Sequence, residues 1–191
     1  MLLSRLTSIH LLICAAIAVS AAASSAQEPM LVKGGQAEAA IVIAPDASEF
    51  ARWLAGELAG HLKKLSGAEL PIVTADKLPA GKPLVVLGGP QANPLAAAAE
   101  ARQLAKFTGL KPDGFVLKRT ELDGVPVLLA GGNDEVATMY AAYDVVVAAA
   151  EHWIAEQEKA GTGWYAGTDP SRQNIAPMTC MLKICICSCS R

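Results

Sequence analysis

Several residue types are scarce in this 191-residue chain, and each scarcity excludes a class of function. None of its five cysteines lies between Gln27 and Thr179, so this stretch holds no cysteine nucleophile and no cysteine-based zinc site. Histidine occurs three times, and neither His61 nor His152 belongs to an H-E-x-x-H helix. The 16 basic and 18 acidic residues include no lysine–arginine cluster, which disfavours nucleic-acid binding.

Aromatic residues make up only 5% of the chain, whereas hydrophobic residues make up 52%. This composition predicts a folded protein with a core of small aliphatic side chains. No G-x-S-x-G elbow, dinucleotide fingerprint or P-loop is present. The carboxylates that invite a catalytic interpretation are Asp113, Asp134, Asp144 and Glu151. Glycoside hydrolysis needs two carboxylates across one cleft, which their spacing does not establish. We therefore interpret each as a cap, a turn or a solvated residue, and predict no catalytic, cofactor-binding or metal-binding residue.

Residues 1–26 have the pattern of an export signal. Arg5 precedes an apolar stretch that runs to Val19, and every residue from there to Ala26 is small. We predict cleavage after Ala26, with Ala23 as the alternative. The stretch is shorter than the about 20 residues of a membrane span. The sequence thus predicts a periplasmic or extracellular protein with no membrane segment after cleavage.

Apolar strands and amphipathic helices alternate through residues 27–158. The predicted strands are Ala40–Ala44, Leu70–Val73, Leu84–Leu87, Asp113–Lys118 and Val125–Ala130, and the predicted helices are 47–66, 93–106 and 131–154. The order β-α-β-β-α-β-β-α predicts an α+β fold in two layers, with a mixed β-sheet and about three packed helices.

Short motifs mark the ends of these elements. Asp46 and Glu49 have the spacing of a capping box, and Gly67 is placed to close the first helix. Asn93 before Pro94 predicts the start of the second helix, and Asp123-Gly124 predicts a hairpin turn.

The large apolar residues of the first and third helices recur at helical spacing, which predicts that they face the core. These are Phe50, Trp53, Leu54, Leu58, His61, Leu62 and Leu65 in the first helix, and Val136, Met139, Tyr140, Tyr143, Val146, Val147, Ala150, Trp153 and Ile154 in the third. Among them, we predict His61 as a packed boundary residue. The pairs Gly88-Gly89 and Gly131-Gly132 are interpreted as closely packed turns rather than anion sites, because Asp134 would repel an anion.

Residues 159–191 differ in character and are predicted to lie outside the fold as an irregular tail. Its cysteines are Cys180, Cys185, Cys187 and Cys189. Their spacing does not match the paired cysteines of structural zinc sites. Three interpretations remain open: thiolate binding of Cu(I) or zinc, disulfide formation in an oxidising compartment, and read-through of a truncated or shifted reading frame.

The order of several motifs resembles a known domain. The stretches that carry the resemblance are Ile41–Ile43, His61–Ile72, Val86–Gly88, Asp113–Leu117, Leu129–Asn133 and Met139–Asp144. Together they resemble the small N-terminal domain that precedes the barrel in bacterial α-glucuronidases and β-N-acetylhexosaminidases. The resemblance covers about Leu31 to Trp153. It departs at His152, where that family has an arginine before the tryptophan.

In that family the domain is a two-layer α+β unit without the catalytic carboxylates, which belong to the following (β/α)8 barrel. The resemblance therefore implies an exported, non-catalytic accessory domain for polysaccharide degradation, truncated before the barrel and inactive alone. Its implied partner is a glycan or a glycosidase barrel, and no cofactor is implied. The alternatives are a stand-alone glycan- or protein-binding module and, through the tail, a metal-binding secreted protein. The candidates for an aromatic binding platform are Trp53, Trp153, Trp164 and Tyr165.

Overall fold

The computed structural model describes residues 30–159, 182–183 and 189–190. The strands are β1 (Met30–Lys33), β2 (Gln36–Ala37), β3 (Ala40–Ile43), β4 (Ile72–Thr74), β5 (Leu84–Leu87), β6 (Phe115–Leu122), β7 (Val125–Gly132), β8 (Leu182–Lys183) and β9 (Cys189–Ser190). The helices are α1 (Glu49–Ser66), α2 (Pro94–Ala101) and α3 (Glu135–Lys159). From β3 to α3 the predicted order of elements is confirmed.

The strands form two sheets. The larger has the order β4-β3-β5-β7-β6-β9, and the smaller has the order β2-β1-β8. In the larger sheet β3, β4, β5 and β7 are parallel, whereas β6 is antiparallel to β7 and β9. The mixed sheet and the three helices confirm the predicted α+β class.

Both faces of the large sheet are covered, because successive side chains of a strand point to opposite faces. Ile41 and Ile43 pack with α1 and α3 in one buried cluster. Ala40 and Val42 pack on the other face with α2 and with Phe107. The two-layer description therefore applies to α1, α3 and the sheet, and α2 with the turn after it covers the second face.

Of the motifs predicted to mark the ends of helices and strands, some are confirmed by the structure and others were wrong. The side-chain oxygen of Asn93 accepts a hydrogen bond from the Leu95 amide, so the predicted cap of α2 is confirmed. Gly67 is left-handed, and both Asp123 and Gly124 have positive φ, as the predicted C-cap and hairpin turn require.

Two boundary predictions were wrong. Asp46 does not cap α1; the cap is Ser48, whose Oγ accepts a hydrogen bond from the Ala51 amide. Helix α2 ends at Ala101 rather than near 106. The Glu100 carboxylate, which accepts hydrogen bonds from the Phe107 and Thr108 amides, stabilises a turn there. These hydrogen bonds lower the pKa of Glu100 below its ordinary value.

Within residues 30–159, none of the three helices has both the length and the hydropathy of a bilayer span. The predicted signal peptide lies outside the described residues, as do Cys180, Cys185 and Cys187 of the tail. Export and the role of the cysteines thus stay predictions. The tail does not lie wholly outside the fold as predicted, because Leu182–Lys183 pair with β1 and Cys189–Ser190 pair with β6.

Candidate functional site

The carboxyl edge of the parallel strands holds a pocket of about 310 Å³. It is bounded by the segments that follow β3, β5 and β7, and by the N-terminal turns of α1 and α3. Its polar lining residues are Asp46, Ser48, Gln91, Asn133, Asp134, Glu135 and Thr138, with Phe50 as the aromatic one. The pocket contains three carboxylates and no basic side chain, so it suits a neutral or cationic ligand rather than an anion.

The position of this pocket follows from the topology. Strand β3 leads through α1 on one face to β4, whereas β5 leads into α2 on the other face. Their connections diverge from neighbouring strands, which opens a crevice between the strand ends. Open α/β sheets bind ligands at such a switch point.

Part of the polar lining has a structural role. The Asp134 carboxylate accepts a 2.7 Å hydrogen bond from the Ala137 amide and caps α3. The Ser48 hydroxyl donates a hydrogen bond to Glu135, which joins the first turns of α1 and α3. Of the four carboxylates considered from the sequence, only Asp134 lines the pocket, and it serves as the cap that the sequence predicts.

The two diglycine pairs, one directly after β5 and one at the end of β7, lie against each other beside this pocket. A Cβ atom on Gly89 would lie 1.9 Å from the Gly132 carbonyl oxygen, and one on Gly131 would lie 2.3 Å from the Gly88 carbonyl carbon. Only glycine permits this approach of the β5 and β7 ends. The predicted close packing of these pairs is confirmed, but Gly131 and Gly132 are the last two residues of β7 rather than a turn.

The outer surface of α3 is the second candidate site, and here the predicted core orientation was wrong for five of nine residues, whereas Met139 and Val146 pack against the core as predicted. The core side of α3 consists of Ala137, Ala141, Ala142, Val145 and Ala149, all buried. The exposed residues include five that were predicted to face the core, namely Val136, Tyr140, Tyr143, Val147 and Ile154. The helix is apolar on both sides, and small residues let it approach the sheet closely, so they occupy the core side.

The exposed residues form a continuous stripe. Successive positions Val136, Tyr140, Tyr143, Val147, Ala150 and Ile154 are separated by four or three residues, the spacing of a coiled-coil seam. We call these six residues the α3 seam. Ala150 is half-buried and the other five are exposed.

Helix α1, which packs beside α3, also exposes Trp53, to 49%. Its prediction as a core residue was therefore wrong. The Trp53 ring lies 5.4 Å from that of Phe50, and the half-buried His61 ring lies 6.4 Å from that of Tyr143. With side chains of this size, Trp53 and the seam expose about 500 Å² of apolar area, near the upper end for a soluble monomer.

Other sequence-predicted residues lie away from this surface or outside the described chain. Trp153 is half-buried, and Trp164 and Tyr165 lie outside the described residues. Among the described residues, no three histidine, cysteine, aspartate or glutamate side chains are grouped to hold a metal ion. Tyr140 and Tyr143 were missed as platform residues, although their seam spacing was visible in the sequence.

No family model matches this chain, and no curated protein matches it. Among solved structures, it is similar to one described as a novel family GH115 4-O-methyl-alpha-glucuronidase with specificity for decorated arabinogalactans. The TM-score is 0.45 at 19% identity, and the match covers 61% of this chain and 14% of that chain. That protein is a glycoside hydrolase, the class that the sequence resemblance names, but a likeness at this TM-score carries no argument about this chain.

Proposed function

We propose that this chain is an exported, non-catalytic accessory domain of glycoside-hydrolase type, which docks onto a hydrolase catalytic domain through the α3 seam and Trp53. The observation that carries this proposal is the large exposed apolar surface of α3. The motif order that resembles hydrolase accessory domains supports the class of partner.

The chemistry of the surface favours a protein partner over a glycan. A patch of this size is near the upper end of what soluble monomers expose, and such patches often bind a partner. Val136, Val147 and Ile154 offer no hydrogen bond to sugar hydroxyl groups, but they pack well against apolar side chains of a protein. The estimated area is more than half of the about 800 Å² that each partner buries in a standard interface.

The first prediction concerns binding of the mature full-length chain to the catalytic barrel of an α-glucuronidase-type hydrolase prepared without its own N-terminal domain. We expect Tyr140→Ser with Val147→Ser to weaken this binding by a factor of about 100, because two central apolar contacts are lost. The measurement is titration calorimetry, with circular dichroism to show that each variant is folded.

Ile72→Ser with Leu78→Ser provides the matched control, since these two side chains are also large, apolar and exposed but belong to neither α1 nor α3. This control variant should bind like the unmodified chain. Equal loss in both variants, or no binding by the unmodified chain to any such barrel, would contradict the proposal.

The pocket at the carboxyl edge favours a second candidate function, a glycan-binding module. Its carboxylates accept hydrogen bonds from hydroxyl groups, and Phe50 offers an aromatic face to a sugar ring. The absence of a basic lining side chain favours neutral sugars over uronic acids.

We therefore expect galactose or xylose to bind the mature chain more tightly than glucuronate, as measured by saturation-transfer NMR. Gln91→Ala should reduce that signal at least about fivefold, because one polar contact contributes about 1 kcal/mol. Lys82→Ala, which changes a residue outside the pocket lining, is the control. Tighter binding of glucuronate, or an unchanged signal in Gln91→Ala, would reject this candidate.

A further inference from the structure

Two glycines lie on the outer side of α1, where the fold itself does not require them. Gly56 and Gly60 are four residues apart, so they lie on one side of the helix. A Cβ atom at either position would meet nothing within 4 Å. Glycine is among the poorest helix formers, so these positions are unfavourable for an isolated domain. They leave a strip of bare backbone on the outer side of the helix, next to the row formed by Trp53, Glu57 and His61.

The helix that carries this strip lies beside α3. The Ser48–Glu135 hydrogen bond joins the first turns of the two helices, and the His61 and Tyr143 rings are in edge contact further along. The surface is therefore stepped, with exposed backbone on α1 and large side chains on α3. A helix resting on such a surface can approach the α1 backbone closely while its apolar side chains contact the seam.

The negative charge of α3 indicates that its partner is positively charged. The helix carries five acidic residues and a single lysine. Asp144 and Glu151 each follow a seam residue by one position, where coiled-coil helices place the charges that select a partner. Lysine or arginine beside the apolar stripe of the partner would complement them. A second copy of α3 packed on the seam would instead bring acidic side chains together.

We propose that the docking partner presents one amphipathic α-helix with basic flanking residues, which packs against the α3 seam and crosses α1 at Gly56 and Gly60. This inference rests on the proposed docking function and specifies the partner element. The glycines let the partner helix approach α1 closely, and the seam provides the apolar contact. Asp144 and Glu151 favour a partner with positive charge.

Two synthetic three-heptad peptides test the inference on the mature full-length chain. Both carry leucine at the two seam positions of each heptad; one has lysine and the other glutamate at the flanking positions. By fluorescence anisotropy we expect the lysine peptide to bind at least about 30 times more tightly at low salt, with the difference falling as salt screens the charges. Equal binding of the two peptides, or binding of neither, would overturn the inference.

The variant Gly56→Ala with Gly60→Ala separates a docking role from a structural one. We expect the melting temperature to rise by about 4 °C, because alanine favours the helix. Binding of the lysine peptide should nevertheless weaken at least about tenfold, since the added methyl groups hold the peptide away. A lowered melting temperature or unchanged peptide binding would contradict the inference.

The outcomes distinguish this inference from the proposed function. If Tyr140→Ser with Val147→Ser abolishes binding to the hydrolase domain while the lysine peptide does not bind, docking stands and the helical partner is rejected. Sedimentation measurements provide a further check. A dimer of the mature chain that dissociates in the same variant would assign the seam to a second copy and overturn the inference.

Discussion

Replacement of Gly131 by alanine is expected to destabilise the protein by at least about 3 kcal/mol. The added Cβ atom would lie 2.3 and 2.4 Å from the carbonyl carbon and oxygen of Gly88, and 2.7 Å from the Gly89 nitrogen. All three contacts are with backbone of the neighbouring strand end, so no side chain can rotate away. Relief would require β5 and β7 to separate where they pair, at Leu87 and Ala130. Chemical denaturation followed by circular dichroism measures the loss.

Gly124→Ala is the matched control. Gly124 has a positive φ of 78°, but a Cβ atom there would meet nothing within 4 Å. Its replacement should cost only about 1 kcal/mol of conformational strain. If the two substitutions destabilise equally, steric crowding at the end of β7 is not what makes glycine necessary at Gly131.

The order of the elements was predictable because it depends on local features. The β-branched run at Ile41–Ile43 and the dipeptides Asn93-Pro94 and Asp123-Gly124 carry their conformational preference within a few residues. The same reasoning applies to Gly34-Gly35, both with positive φ between β1 and β2, although this hairpin was not predicted. The diglycine between Val32 and Gln36 is the sequence feature from which this hairpin could have been predicted.

The orientation of α3 was not predictable from periodicity. Large apolar residues at helical spacing ordinarily mark the core side, but α3 is apolar on two sides. Which side faces the sheet depends on the space above β7 and β6, and that space admits Ala141 and Ala142 rather than Tyr140 and Tyr143. The small residues of an apolar helix are therefore the better indicator of its core side when the sheet lies close.

The pocket could not be predicted from the sequence either, because the residues that line it are far apart in the chain. The Ser48–Glu135 hydrogen bond joins residues 87 positions apart, and neither residue has a motif that points to the other. Their proximity follows from parallel β3, β5 and β7, whose strand ends meet at one edge. The sequence indicated mixed strands but not which strands pair.

Asn93→Asp is expected to destabilise the protein by about 3 to 5 kcal/mol at neutral pH. Asn93 is 1% exposed, and its Nδ2 donates hydrogen bonds to the carbonyl oxygens of Val42 and Leu87, at 3.1 and 3.0 Å. Its side chain thereby joins the ends of β3 and β5. An aspartate of the same shape still caps α2 but places a buried negative charge against two carbonyl oxygens.

The pH dependence identifies the cause of this loss. Burial and the two carbonyl oxygens should raise the pKa of the introduced carboxyl above its ordinary value of about 3.9, because they disfavour the charged form. The protonated carboxyl donates one hydrogen bond, so the difference in unfolding free energy from the unmodified protein should shrink as the pH falls through that raised pKa. Asn93→Ala, which removes the hydrogen bonds without adding a charge, should cost about 2 kcal/mol at every pH. Urea denaturation of all three proteins from about pH 4, close to the ordinary carboxyl pKa, up to about pH 8 measures both effects. A deficit in Asn93→Asp that does not change with pH would show that buried charge is not its cause.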